Sequence, residues 1–493
     1  MQNTTIGSRV QSVQELVREH RTWFLAFAIL GIALRLIFVF RLMVITPDSL
    51  VYGDLATNWI QQHVYGLSGA NGAMAVDIRL PGYPAYLAVC FLIAGIDHYR
   101  AACIGQVLVD LATCFVVAKL ALRMAGERAA RWAFALAALC PFLINYASTA
   151  LTETWTIFFT AVALLLAVEG ADALENPTLA KAARVGHPQN WVEGWGSHHP
   201  WIWCGLAIGG ATLLRPDSGI LLIAFLLWLG WKFLTQSDLR SNIFRAAMLV
   251  GVFTFVPLVP WAARNAITLH ELQPLAPVAA NEPGEFVPVG FDRWLKTWEI
   301  DYASQEDIGF NVSGEAMPFD LVPGRAFDTP QQRATTEELF REYNQTLNMT
   351  PELDARFDQL AQERIHDSRW RYYVELPAAR AFDMWLRPRT EMLPVDIHWW
   401  HFDDPRDDSI AIFLGVWNLA LLLAAAWGFR KVVVTRGVGL LLTFVVVRTV
   451  LIVAISIPEP RYVLECYPVV LALAGVAVAS RRSPVAGRER PAN

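Results

Sequence analysis

TPDSLVYGDLATNWIQQHVYGLSGANGAMAVDIRLPGYPAY, residues 46–86, follows directly on an apolar run, 24–45, that is long enough to cross a bilayer. The stretch brings two carboxylates, Asp48 and Asp54, to the membrane surface. Thr46-Pro47-Asp48-Ser49 reads as a helix start. Tyr52, Leu55, Ala56, Trp59 and Ile60 then recur at helical spacing. The expected helix is amphipathic and lies along the membrane surface rather than through it. On it Asp48 and Asp54 lean to opposite faces, so they are not expected to act as one pair. Two roles compete for Asp48: a capping carboxylate on a surface helix, or a catalytic base at the water–lipid boundary. Spacing alone favours the cap.

Working outward, the composition is that of a polytopic membrane protein. Of 493 residues 55% are hydrophobic and only 17% charged, and the mean hydropathy is +0.35. The net charge of −5 says little, because orientation follows where Lys and Arg sit. Nothing in the pattern asks for nucleic acid as a partner. All six cysteines (Cys90, Cys103, Cys114, Cys140, Cys204 and Cys466) lie in apolar segments and read as free buried thiols. The N-terminal stretch is polar, and the first apolar run is too long for a cleavable signal core.

Ten spans are expected: roughly 22–45, 100–120, 132–147, 154–169, 201–214, 218–233, 246–262, 409–427, 437–456 and 463–480. The apolar stretch 82–96 is short and reads as a re-entrant or surface helix. With this parity the basic clusters near 1–21, 119–131, 181–184, 232–245, 430–436 and 481–490 all fall on the cytoplasmic side, as do both termini. Three parts follow: a membrane-embedded module over 1–263 whose first outer loop is 46–99, a polar exofacial segment over 264–408, and C-terminal spans with a basic tail over 409–493. The exofacial segment is irregular and Pro-rich at first and turns helical from Thr329 on; Trp385, Trp399 and Trp400 suggest that its end rests on the membrane interface.

The unusual polar residues then gather on the outer side. Asp48, Asp54, Arg79, Glu153, Arg215, Asp217, Arg264, Glu459 and Arg461 all sit at outer span ends or in outer loops. Charges at membrane depth are costly and tend to be functional. A mixed set of carboxylates and arginines suits a reaction on an anionic, lipid-anchored substrate: arginine grips phosphate with a planar fork of donors, and a carboxylate takes a proton from an attacking hydroxyl. Arg35, in mid-span, must face protein, water or an anionic group.

The pattern resembles the GT-C superfamily of membrane glycosyltransferases, and within it bacterial glycosyltransferase family 39, related to protein O-mannosyltransferases and the lipid A aminoarabinose transferase. The pieces that carry the resemblance are Pro47-Asp48-Ser49 with Tyr52 and Gly66, Arg79-Leu80-Pro81-Gly82-Tyr83-Pro84, Leu151-Thr152-Glu153, Leu214-Arg215-Pro216, Pro260-Trp261-Ala262-Ala263-Arg264-Asn265 and Glu459-Pro460-Arg461-Tyr462. The resemblance implies an all-α GT-C-like bundle with juxtamembrane helices in the first outer loop and a mostly helical exofacial domain. It implies an inverting transfer of a sugar from a polyprenyl-phosphate donor to a hydroxyl of a lipid, glycan or protein, on the outer face of the cytoplasmic membrane. It maps the general base to Asp48. Arg461, Arg264 and Arg215 are candidates for the donor phosphate; Asp54, Arg79, Glu153 and Glu459 for substrate or a divalent cation, whose requirement it leaves open. Many relatives carry Asp-Glu where this chain has Asp48-Ser49, so any task of the second acid is unfilled or moved, with Glu153 the candidate. Gly82 and Pro84 shape the loop.

Other readings stay beside these. A transporter or flippase would line a pathway with midplane charges, but here the charges cluster at outer ends. A membrane-anchored scaffold would not need buried arginines. His398 and His401, in HWWH, have i, i+3 helical spacing; with no third ligand nearby, they read as an interfacial aromatic cluster rather than a metal site. His187, His198 and His199 read as a solvated inner loop. Asn311, Asn344 and Asn348 head glycosylation-type triplets that arise commonly by chance.

Overall fold

The computed structural model describes residues 12–175, 199–277, 286–312, 314–433, 437–455 and 459–480. His187, His198, the expected inner loop around them and the basic tail lie outside the described residues. The protein is an all-α polytopic membrane protein. Its strands, among the described residues, are one hairpin of Gly66–Gly69 and Gly72–Ala75.

Each of the ten expected spans coincides with a helix, but fewer than ten are long and apolar enough to cross a bilayer alone. Seven described helices are, from Arg21–Arg41 to Pro460–Ser480, and the bent pair Glu127–Ala138 and Pro141–Ala147 makes an eighth if it counts as one span. Pro141 opens the second half of that pair, which explains the 51° bend. The expected spans 201–214 and 437–456 appear as shorter helices, His199–Thr212 and Val438–Ile455. Gly82–Ala94, with 13 residues, is too short to span, and it turns Leu92 and Ile93 outward.

Outward apolar side chains are the rule on these helices: Ile29, Ile37 and Phe40 of Arg21–Arg41 are all exposed, as a lipid-facing surface requires. Close helix approach is made by small residues. A Cβ on Gly428 would sit 1.9 Å from the Leu473 carbonyl oxygen, so only glycine lets these two C-terminal helices meet. Arg35 finds the anionic partner its mid-span position demands. It is fully buried, its Nε donates to Asp110 Oδ2 at 2.6 Å, and its Nη1 donates to the Ala138 carbonyl at 2.7 Å.

The segment 286–408 builds its own aromatic core from Phe291, Trp294, Trp298, Phe340 and Phe357. Thr329 and Thr350 cap its two long helices, Pro330–Thr346 and Pro351–Asp367, each with proline at the first helical position. Its last helix, Leu376–Leu386, leans on the membrane part: Trp385 Nε1 donates to Thr449 of Val438–Ile455 at 3.1 Å. HWWH is not helical. It lies in a turn, where the His401 amide donates to the His398 carbonyl.

Candidate active site

The capping role weighed for Asp48 is filled by its neighbour Thr46. The Ser49 amide donates to Thr46 Oγ1 at 3.2 Å and the Thr46 amide donates to Ser49 Oγ at 3.1 Å. This reciprocal pair is a capping box. The cap therefore belongs to Thr46. Ser49, the residue next to Asp48, is buried and occupied by that box. Asp48, the second residue of helix Pro47–Gln61, is left free to face a cavity.

That cavity, of about 820 Å³, opens where span ends meet the segment 286–408. Asp48 Oδ1 accepts from Arg79 Nη2 at 2.8 Å, and Oδ2 accepts from Arg461 Nη1 at 3.4 Å. Burial pulls the Asp48 pKa up, but Arg461 and Arg79 outweigh it and hold the carboxyl below its ordinary range. The base candidate is thus ionised and doubly paired. Arg79 is placed by its backbone, whose carbonyl accepts from the buried Tyr65 hydroxyl at 2.9 Å. The loop that carries it is docked at Gly82, whose amide donates to the Leu213 carbonyl at 2.9 Å. A Cβ there would stand 2.6 Å from that same oxygen, so glycine is required for the docking.

Arg461 is the hub. Its Nη1 also lies 3.8 Å from Glu153 Oε1, its Nη2 donates to Glu459 Oε1 at 3.2 Å, and its Nε pairs with Glu459 Oε2. Glu153 opens helix Glu153–Glu175 and accepts from Arg215 Nη1 at 2.7 Å. Its other oxygen, Oε2, is buried with no hydrogen-bond partner among the described residues. Arg215 Nε donates to Asp217 Oδ1 at 3.0 Å, and its guanidinium lies over the Tyr462 ring at 4.7 Å. Below this layer Arg448, fully buried in Val438–Ile455, donates from Nη2 to both Asp217 Oδ2 and Glu465 Oε1 at 2.7 Å.

Sequence reading missed Arg448, although a lone guanidinium inside VVVRTVLIV was itself the signal. It also missed Tyr302, Glu306 and Glu391, which the segment 286–408 contributes to the cavity wall. No local pattern distinguishes these from their neighbours.

Two of the expected site residues are elsewhere. Arg264 does not line the cavity. Its Nη1 donates to the Val76 carbonyl and its Nη2 to the Tyr65 carbonyl, at 2.8 and 2.5 Å, and it packs over the Tyr65 and Trp261 rings. It props the stretch 65–76 from behind, with both terminal nitrogens already engaged. Asp54 accepts from the Ser68 amide at 2.7 Å and the Ser68 hydroxyl at 2.5 Å, which pins the hairpin to helix Pro47–Gln61. The other six candidates, Asp48, Arg79, Glu153, Arg215, Glu459 and Arg461, share the cavity.

A divalent cation bridging Asp48 and Glu153 does not fit this arrangement. Arg461 Nη1 stands between the two carboxylates, at 3.4 and 3.8 Å, where such an ion would need to be. The counter-charge of the cavity comes from guanidiniums. A second cavity, of about 330 Å³, lies among the three C-terminal helices and is lined by apolar side chains such as Leu422, Leu441 and Leu473. It offers room for hydrocarbon and no chemistry.

No protein family profile matches the sequence, and no curated protein matches it. Among solved structures, the chain is similar to ArnT from Cupriavidus metallidurans bound to undecaprenyl phosphate, at 14% identity over 93% of this chain and 78% of that one, with a TM-score of 0.40. It is also similar to the archaeal oligosaccharyltransferase AglB from Archaeoglobus fulgidus in complex with an inhibitory peptide and a dolichol-phosphate, at 12% identity over 93% of this chain and 50% of that one, with a TM-score of 0.46. A structure of the same archaeal enzyme with Zn and sulfate matches at 13% identity, over 93% and 48% of the two chains, with a TM-score of 0.46. The chain thus spans about half the length of the archaeal enzyme. Likeness this distant says nothing of substrate.

Proposed function

We propose that the protein is a GT-C-type glycosyltransferase that moves a sugar from a polyprenyl-phosphate donor to an acceptor hydroxyl on the outer face of the cytoplasmic membrane. The observation that carries this reading is the bracketing of Asp48 by Arg79 and Arg461 at span ends, beside a cavity large enough for a sugar phosphate. A donor lipid keeps its chain in the bilayer, so its phosphate arrives at the depth of these arginines.

The chemistry follows from charge. In the free protein each cavity guanidinium is pinned by carboxylates. A donor phosphate competes for Arg461 and Arg215 and, like a carboxylate, offers a pair of oxygens to the planar guanidinium fork. As Arg461 turns to the phosphate, Asp48 loses one of its two partners and gains basicity. The acceptor hydroxyl then gives its proton to Asp48 while its oxygen forms the new bond to the anomeric carbon. The bond from that carbon to the phosphate oxygen breaks on the opposite side, and its electron pair leaves with the polyprenyl phosphate. Fixed guanidiniums stabilise that developing charge where water is scarce. One displacement of this kind inverts the anomeric centre. The acceptor, a lipid, glycan or protein, enters past Tyr302, Glu306 and Glu391.

The test is membrane vesicles supplied with a labelled polyprenyl-phosphate sugar. Label in a covalent glycoconjugate supports transfer. Label that only changes sides of the membrane, with the sugar still on its carrier, supports a flippase instead.

A further inference from the structure

Outside the cavity the structure assembles a second group of chemically active side chains. Asp396, His398 and His401 each offer one ligand atom, and these atoms all lie within 4.8 Å of one another. The fold supplies the third ligand that HWWH lacked by closing the chain into a tight turn at 396–401. Both the amide and Nδ1 of His398 approach Asp396 Oδ1, at 2.8 and 3.0 Å. The two imidazoles stack almost parallel, with interplanar angle 4° and centroids 5.0 Å apart.

The geometry points to a divalent metal site of the zinc class at Asp396, His398 and His401, fastening this turn to the wall of the cavity. Zinc takes imidazole nitrogen and carboxylate oxygen at about 2.0–2.2 Å in tetrahedral array, which sets two ligand atoms roughly 3.3 Å apart. The Nδ1 and Oδ1 atoms already stand at 3.0 Å. A fourth position remains for water, since Asp396 and His401 are exposed.

A separate element carries the second observation. Asp307, which ends helix Tyr302–Asp307, places Oδ2 3.0 Å from His398 Nε2. A ligating histidine characteristically donates its far N–H to a carboxylate, which fixes the tautomer and turns the near nitrogen to the metal. Asp307 is so placed, from 91 residues away in sequence. It directly follows Glu306, and Tyr302 and Glu306 of the same helix line the cavity. An ion held at the turn therefore fixes the His398 ring, whose contact with Asp307 ties the segment that carries Glu391 to the helix that carries Tyr302. The role is to lock a cavity wall, independent of the chemistry proposed for Asp48.

The test uses the full-length protein without a histidine tag, stripped with chelator and titrated with Zn²⁺. One equivalent is expected to bind and to raise the unfolding temperature. His401→Gln, at an exposed position that the core does not need, is expected to weaken Zn²⁺ binding at least about 10-fold, and His398→Gln with His401→Gln to abolish it. Asp307→Asn is expected to keep the stoichiometry and weaken affinity by about 10–100-fold. Asp48→Asn, in the cavity, and His20→Gln, in a second group with Glu19 and Glu127, should bind as the wild type does. Failure of the wild type to take up Zn²⁺ overturns the site, as does unchanged binding in the His401 variant.

Discussion

Arg461 reaches across 413 residues of sequence to Asp48, its Nη1 3.4 Å from Oδ2. The contact is longer than the 2.8 Å bond from Arg79 to the other oxygen, and Arg461 has two further carboxylates within reach. It is the weaker hold on Asp48 and the one a phosphate can take over. This difference makes a pH prediction. In the free enzyme Asp48 titrates below its ordinary range, so kcat/KM should hold to unusually acid pH before it falls. With donor bound and Arg461 withdrawn, the acid limb of kcat should lie at higher pH. Rates at limiting and saturating donor separate the two. Coincident limbs would mean that Arg461 never leaves Asp48.

Arg461→Lys keeps the charge and loses the fork. A lysine cannot hold Glu459 and grip a phosphate with two parallel donors. Loss of one fixed donor at a developing charge costs about 10²–10³ in kcat, and that is the expected deficit. Turnover within a few-fold of wild type would remove Arg461 from the donor site.

Arg448→Met tests the layer beneath. Arg448 is fully buried and bonded to Asp217 and Glu465. Removing one partner of such a network strands the others, a cost of about 3–5 kcal/mol. The variant should unfold at markedly lower temperature, and Arg448→Met with Glu465→Gln should recover part of the loss. A double variant no better than the single would mean that loss of Arg448 does not strand Glu465.

Glu299 gives the segment 286–408 a pH dependence of its own. Burial pushes its carboxyl up to about 8 against the partial relief of Arg380, and its Oε1 has no hydrogen-bond partner among the described residues. The unfolded chain titrates near 4.3. Between these values the folded state holds the extra proton, so stability is full at acid pH and declines as pH rises through the window to about 8. Glu299→Gln should remove that decline. Unfolding temperatures of wild type and variant at about pH 6 and about pH 9 give the comparison, and parallel shifts would contradict it.

How much of this was legible depends on range. The start at Thr46-Pro47-Asp48-Ser49 was readable because capping is local, although the cap proved to be Thr46 rather than Asp48. Span positions were readable because apolar runs are local too, while the bend at Pro141 and the short helices made the ten expected spans fewer by length. The gathering of span-end charges followed from parity alone. Arg264 could not be sorted from Arg215, because an arginine at the end of an apolar run looks the same in sequence whether it faces a cavity or, as here, backbone carbonyls. Tyr302, Glu306 and Asp307 reach their places by tertiary packing, which leaves no periodic trace.

Asp48→Asn, assayed in purified enzyme with a labelled polyprenyl-phosphate sugar, tests the central claim most directly. Asparagine keeps the size and one acceptor oxygen for Arg79 but cannot take the proton, so turnover should fall by about 10²–10⁴-fold while donor binding and the unfolding temperature stay near wild type. Turnover equal to wild type would contradict Asp48 as the base.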